Sequence, residues 1–145
     1  MPTELGQSYP PTWRGRYPHM LEEDYPVWER FLDQFGHMFE RFYYDVRVGG
    51  PDPKTISPEL KWGMMYYRLQ AKRIDAIGEK KNEIWIIEVA SRPGLRAVGQ
   101  ITSYVTLWAL DPKIPKPAKA WLICERLDPD LAWALRAGGI SYLVL

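Results

Sequence analysis

The sequence is poor in the side chains on which most metal and redox chemistry relies, with one cysteine and two histidines in 145 residues. A single thiol can form neither an intramolecular disulfide nor a cysteine-based zinc site, so a bound metal must be held by oxygen or by His19 and His37. An excess of either charge is also missing: 19 basic side chains face 18 acidic ones, a net +1. That balance gives no bulk pull toward nucleic acid, and any phosphate-binding surface has to be a local patch. No run approaches the roughly 18 apolar residues needed to cross a bilayer, and the opening MPTELGQSYPPTWRGRYPHM has no secretory apolar core. The expectation is a protein that is intracellular or assembled inside the cell, cytoplasmic or in a virion, not secreted through a signal peptide and with no membrane partner.

What the chain does have is aromatic side chains and proline: seven Trp, nine Tyr and 13 Pro. Its length suits one domain and one core. Trp13, Tyr17 and Tyr25 stand in a proline-punctuated leader that is poorly suited to helix or strand. Such a leader either packs on its own domain or docks on a partner, since aromatic anchors are favoured at interface cores. The chain is therefore expected to divide into an extended arm, 1–24, and an α/β domain, 25–145. The arm would serve a protein partner, an oligomer or a larger assembly.

Val27, Trp28, Phe31, Leu32 and Phe35 recur at helical spacing, which predicts an amphipathic helix from Tyr25 to Gly36. Phe42 to Val48 reads as a strand that stops at Gly49-Gly50-Pro51-Asp52-Pro53. A short helix or turn from Ser57 leads to a second strand within Tyr66 to Gly78. Glu79-Lys80-Lys81-Asn82 then turns the chain into Glu83 to Ala90, whose Ile-Trp-Ile-Ile run suits a strand buried on both faces. Leu95, Val98, Ile101, Val105 and Trp108 predict a helix to Leu110, and Asp111 to Lys119 reads as an exposed connection. A strand from Ala120 to Cys124, a helix from Asp128-Pro129 to Arg136 closed by Gly138-Gly139, and a strand from Ile140 to Leu145 complete the order. The pattern implies an α/β fold with a mixed central β-sheet flanked by helices. Cys124, and the aromatic side chains around Trp108 and Trp133, are expected in the core. His19 and His37 lie in or beside loops without a companion ligand and read as incidental.

Two acids, Asp75 and Glu88, stand inside apolar strands, and a buried carboxylate needs a partner or a metal. The two strands are antiparallel neighbours across the turn at Asn82, so both acids reach one end of the hairpin. There they either hold Mg²⁺ or Mn²⁺, with the Val89 carbonyl as a further ligand, or pair with Arg73, Arg92 or Arg96. Pro51-Asp52 follows Gly-Gly in a turn, where Pro-Asp is ordinary turn chemistry, and Asp75 is the better candidate acid.

Asp75, then Glu88-Val89-Ala90 closing an apolar strand, then Gln100 and Tyr104 on the next helix, resembles the PD-(D/E)XK nuclease superfamily. The resemblance spans about Tyr25 to Leu145 and excludes the leader. It implies a restriction-endonuclease-like core, α-β-β-β-α-β-α-β, in which Asp75 and Glu88 hold the metal. Gln100 and Tyr104, with Arg96 one helical turn earlier, would support phosphate contacts, and Glu29 is a candidate for the extra acid of some members. The departure is at Ala90, where the superfamily has a lysine that aims and activates the attacking water. Residues 88 and 90 share a strand face, so the ammonium is missing from that face. Arg73, Arg92 or Arg96 could supply charge, but an arginine stays protonated and presents a wide fork. Two functions follow. One is a degenerate nuclease-like domain kept as an interaction or assembly module, resembling the small domains of phages, with a virion or packaging role. The other is an active metal-dependent nuclease acting on DNA, with an arginine in the lysine's place.

Overall fold

A computed structural model describes residues 2–50 and 72–145. The Pro51-Asp52 turn, the element expected from Ser57 and the start of the second strand at Tyr66 lie outside the described residues. Six strands form one sheet in sequence order: β1 (Ser8–Tyr9), β2 (Arg41–Val48), β3 (Lys72–Glu79), β4 (Ile84–Ala90), β5 (Ala118–Cys124) and β6 (Ser141–Val144). Neighbours from β1 to β4 are antiparallel, whereas β4, β5 and β6 run parallel. Three helices accompany the sheet among the described residues: α1 (Tyr25–Phe35), α2 (Arg96–Leu110) and α3 (Pro129–Ala137). The fold is mixed α/β, and none of these helices is long and apolar enough to cross a membrane. The C-terminal strand pairs within the same sheet, Trp121 lying opposite Ser141, as its apolar run required.

The helices take opposite faces. α1 buries Val27, Trp28, Phe31 and Leu32 with Trp85, Ile87, Val89 and Ile123 of the sheet. α2 places Tyr104 and Trp108 with Ile77, Ile84 and Ile86 on the other face, and α3 adds Leu131 and Leu135 beside Leu122 and Cys124. β4 therefore alternates between two cores, which explains its unbroken apolar run and turns Glu88 and Ala90 toward α2. α3 starts as its sequence suggested: Asp128 accepts from the Asp130 N–H at 2.8 Å, with Pro129 in the first turn. It stops at Gly139, whose φ of +72° is costly for other residues.

The β2–β3 ladder is interrupted at one step. Tyr44 pairs with Ala76 and Val46 with Ile74, but Asp45 and Asp75 between them do not pair. Asp45 has φ +53°, a left-handed conformation that Asp tolerates better than most residues. Across that step both strands change face: Tyr44 and Ala76 pack with α1, whereas Val46 and Ile74 pack with α2. Arg73, one of the cations considered for the missing lysine, ion-pairs with Asp45 at 3.6 Å.

The leader corrects two expectations. Ser8 and Tyr9 form an edge strand on Tyr43 and Phe42, although a strand looked unfavourable there. Tyr17 is only 1% exposed within the α1-side core, and Trp13 packs on that core between Tyr9, Tyr17 and Tyr44. A docking arm would have had few contacts with its own domain, and these residues have many. Trp133 corrects a third expectation. It is 69% exposed, beside the Arg136 guanidinium, and not in the core. The connection after α2 is likewise pinned: Lys116 donates to Glu79 Oε2 at 2.7 Å, while Arg41 donates to Oε1 at 2.9 Å. Burial acts to raise the Glu79 pKa, but these cationic donors outweigh it and hold the carboxyl below the ordinary range.

Candidate functional site

β3 and β4 pair from Glu79–Ile84 to Ala76–Ile87 and then part. The next step of that register sets Asp75 opposite Glu88. β4 continues with β5, Glu88 beside Leu122 and Ala90 beside Cys124, while β3 stays with β2. The two acids therefore stand at the mouth of a split between strands. Asp75 replaces the lost ladder bond with its side chain: Oδ2 accepts the Val89 N–H at 2.9 Å. In an extended strand a residue's N–H and C=O point to the same edge, so the Val89 carbonyl is also directed into the split.

Asp75 is only 5% exposed, and the Asp75 and Glu88 carboxyls are close enough for each to bear on the other's protonation. Burial is the largest influence on both groups and pushes both upward, and the adjacent Asp75 carboxyl adds to the rise at Glu88. The Tyr104 hydroxyl contacts Glu88 from α2 and is itself raised by burial and by the two acids. Among the described residues neither acid forms an ion pair, so the alternative of pairing with Arg73, Arg92 or Arg96 is not what the structure adopts. Glu88 Oε2 is buried without a hydrogen-bond partner. An orphaned carboxylate oxygen beside a second carboxyl suits a hard cation better than a closed ion pair.

Glu88 and Ala90 line an open cleft of about 640 Å³. Arg92, Arg96 and Gln100 line the same cleft, and all three side chains are exposed. Arg96, Gln100 and Tyr104 lie one helical turn apart on α2, so the ridge expected from the sequence exists and borders Glu88. The site residues Asp75, Glu88, Val89, Arg96, Gln100 and Tyr104 thus converge on one end of the sheet. Glu29 does not join them: it pairs with Arg14 at 3.9 Å and accepts from Tyr17 at 3.3 Å, on the leader side of α1.

Two residues were missed. Asp24, at the start of α1, lines the cleft and is 6% exposed, and its charge bears on both acids. His19, read as incidental, is close enough for its charge to bear on Asp75, and it has φ +67°. The only sequence signal for Asp24 was an acid directly before a helix, which is ordinary capping chemistry. His19 carried no signal at all.

Asp75, Glu88 and the Val89 carbonyl offer oxygen ligands alone, a donor set that fits Mg²⁺ or Mn²⁺. No group of three or more His, Cys, Asp or Glu side chains gathers among the described residues, so such a cation would rely on two carboxylates. Fold and site together define a mixed α/β protein with a two-carboxylate centre at the open end of a split sheet. No family model, curated protein or solved structure matches the chain.

Proposed function

We propose that this protein is a PD-(D/E)XK nuclease-like domain that binds a divalent cation and a phosphodiester in the Glu88 cleft and hydrolyses weakly or not at all. One observation carries the reading: Asp75 and Glu88 share a split strand end, with Glu88 Oε2 unpartnered beside a cleft walled by Arg92, Arg96 and Gln100. The restriction-endonuclease-like core belongs to the same proposal. Asp75 and Glu88 would hold Mg²⁺ or Mn²⁺, and Lewis-acid stabilisation of a phosphate is what such an ion supplies when bound. Tyr104 orients the Glu88 carboxyl, and Arg92 and Arg96 offer charge to phosphate oxygens. Ala90 lines the cleft with a methyl group, so β4 itself sets no ammonium beside Glu88 to move a proton from water.

An active nuclease with an arginine in the lysine's place is the second reading. Arg92 and Arg96 favour it, because both line the cleft without an ion pair among the described residues. A role as an interaction, virion or packaging module draws on the missing lysine, the near-neutral charge and the likeness to small phage domains; the leader, which packs on its own domain, adds nothing to it.

Calorimetric titration with Mn²⁺, paired with cleavage of plasmid and single-stranded DNA, tests the proposal. Wild type is expected to bind Mn²⁺ and cleave at the edge of detection, and Asp75→Ala to abolish binding. Ala90→Lys should raise cleavage by about 10²-fold or more, the typical worth of a positioned proton-transfer group. Robust wild-type cleavage that Asp75→Ala abolishes would establish the second reading. If wild type and Ala90→Lys neither bind Mn²⁺ nor cleave, both readings fall.

A further inference from the structure

We propose that Asp24 is a positioning residue for the Asp75–Glu88 centre, acting through Ser91 to clamp the end of β4 to the start of α1. The inference rests on the nuclease-like reading and adds to it a wall supplied by the leader. Asp24 Oδ1 accepts the Ser91 N–H at 2.8 Å and lies 2.9 Å from Ser91 Oγ. Ser91 Oγ also lies 3.0 Å from the Glu23 carbonyl.

Asp24 occupies the N-cap position of α1 yet makes no capping hydrogen bond to its own helix. Asp24 has helical φ −92° and ψ −11° at the end of the Glu22–Asp24 turn, and Pro26 in the first turn has no N–H to donate, so the Asp24 carboxylate is free of capping duty. The carboxylate is turned across the cleft end instead, and the helix start is left without its side-chain cap.

Ser91 directly follows Ala90 and precedes Arg92, so the clamp fixes the backbone between Glu88 and the first of the cleft arginines. Leu21, Glu23 and Asp24, just before α1, line the cleft together with Arg92, Arg96 and Gln100. The two groups belong to different elements, and the Asp24–Ser91 bonds tie them together. The distance of Arg92 from Glu88 therefore depends on a residue remote in sequence from both. Asp24 needs its oxygen for this role, not its charge, and that distinguishes it from a metal ligand.

The test compares Asp24→Ala with Asp24→Asn in the full chain, since Asn keeps an oxygen acceptor for the Ser91 N–H and loses the charge. Mn²⁺ affinity is read by calorimetry, and amide hydrogen exchange is followed over residues 91–96. Asp24→Ala should weaken Mn²⁺ binding about tenfold or more, the usual loss when a supporting contact behind a ligand is removed, and should speed exchange over 91–96. Asp24→Asn should stay within about threefold of wild type in affinity, with wild-type exchange, because its amide oxygen still accepts the Ser91 N–H. Equal loss in both variants would make Asp24 a charge or ligand residue and overturn the proposal, as would Asp24→Ala indistinguishable from wild type. If wild type binds no Mn²⁺ and Glu88→Gln changes nothing, the nuclease-like reading has failed on its own. The exchange comparison then decides the clamp: faster exchange in Ala restored by Asn upholds it, and its absence overturns it.

Discussion

The pair Asp75–Glu88 stores a cost that the metal-free protein cannot avoid. Both carboxyls have pKa values raised above the ordinary 3.8 and 4.5, burial being the largest cause. A raised folded-state pKa means the folded protein binds a proton more tightly than the unfolded chain. The associated stability is present below the unfolded values and is lost as pH rises through the raised ones. The metal-free protein should therefore melt at lower temperature as pH climbs above about 4.5, the unfolded Glu value. Glu88→Gln should flatten that slope and raise the melting temperature at pH 7–8 by a few degrees, about 1 kcal/mol or more, because a neutral amide escapes the burial cost and the like-charge repulsion that ionised Glu88 carries beside Asp75. Thermal melts of the chelated protein from pH 4 to 8 check it, and a mutant less stable than wild type at pH 8 would contradict it. This centre was partly legible in the sequence, since a carboxylate inside an apolar strand is anomalous and the hairpin brings the two together. What was not legible is how the acids are supported. The left-handed Asp45, the Asp24–Ser91 contact and His19 near Asp75 depend on tertiary geometry that no local pattern encodes.

The strands and helices were more legible than the site, because alternation and 3.6-residue periodicity are consequences of which face is buried. α1, α2, α3 and β4 lie where their apolar spacing put them, within a residue or two at the ends. The interruption of β2 and β3 was hidden, because Asp45 and Asp75 sit in segments whose composition still reads as strand. The crowding of β3 at Gly78 was hidden as well. A Cβ on Gly78 would lie 2.7 Å from Phe39 Cε1 and 2.9 Å from Phe42 Cε1, inside contact distance to two core rings. Gly78→Ala should therefore destabilise by about 1–3 kcal/mol, the usual cost of overpacking, although alanine favours a strand no less than glycine does. Urea unfolding checks the size, and a neutral result would mean that the Phe39 ring can swing aside.

At the scale of the whole molecule the leader is the point on which composition misleads. Prolines and exposed-looking aromatic residues suggest an appendage, and yet residues before α1 fill the core and line the site. Tyr17 and Met20 belong to the α1-side core, Ser8–Tyr9 cover the free edge of β2, and the Thr3 N–H donates to Asp111 at 2.6 Å. Fully burying one large apolar side chain is worth about 1.5–3 kcal/mol. Two such residues therefore account for much of a typical domain stability of about 5–15 kcal/mol. Removing 1–24 would uncover Tyr44 and the half-buried Tyr25, and it would open the β2 edge to pairing with other chains. The fragment 25–145 is therefore expected to be unfolded or aggregated, with no cooperative melt, while the full chain melts in one transition. Tyr17→Ala in the full chain isolates the packing contribution from the edge effect and should cost about 3–5 kcal/mol, as large-to-small aromatic core changes do. A soluble, cooperatively folding 25–145 fragment would show that the leader is dispensable after all, and would return it to the role of a surface arm.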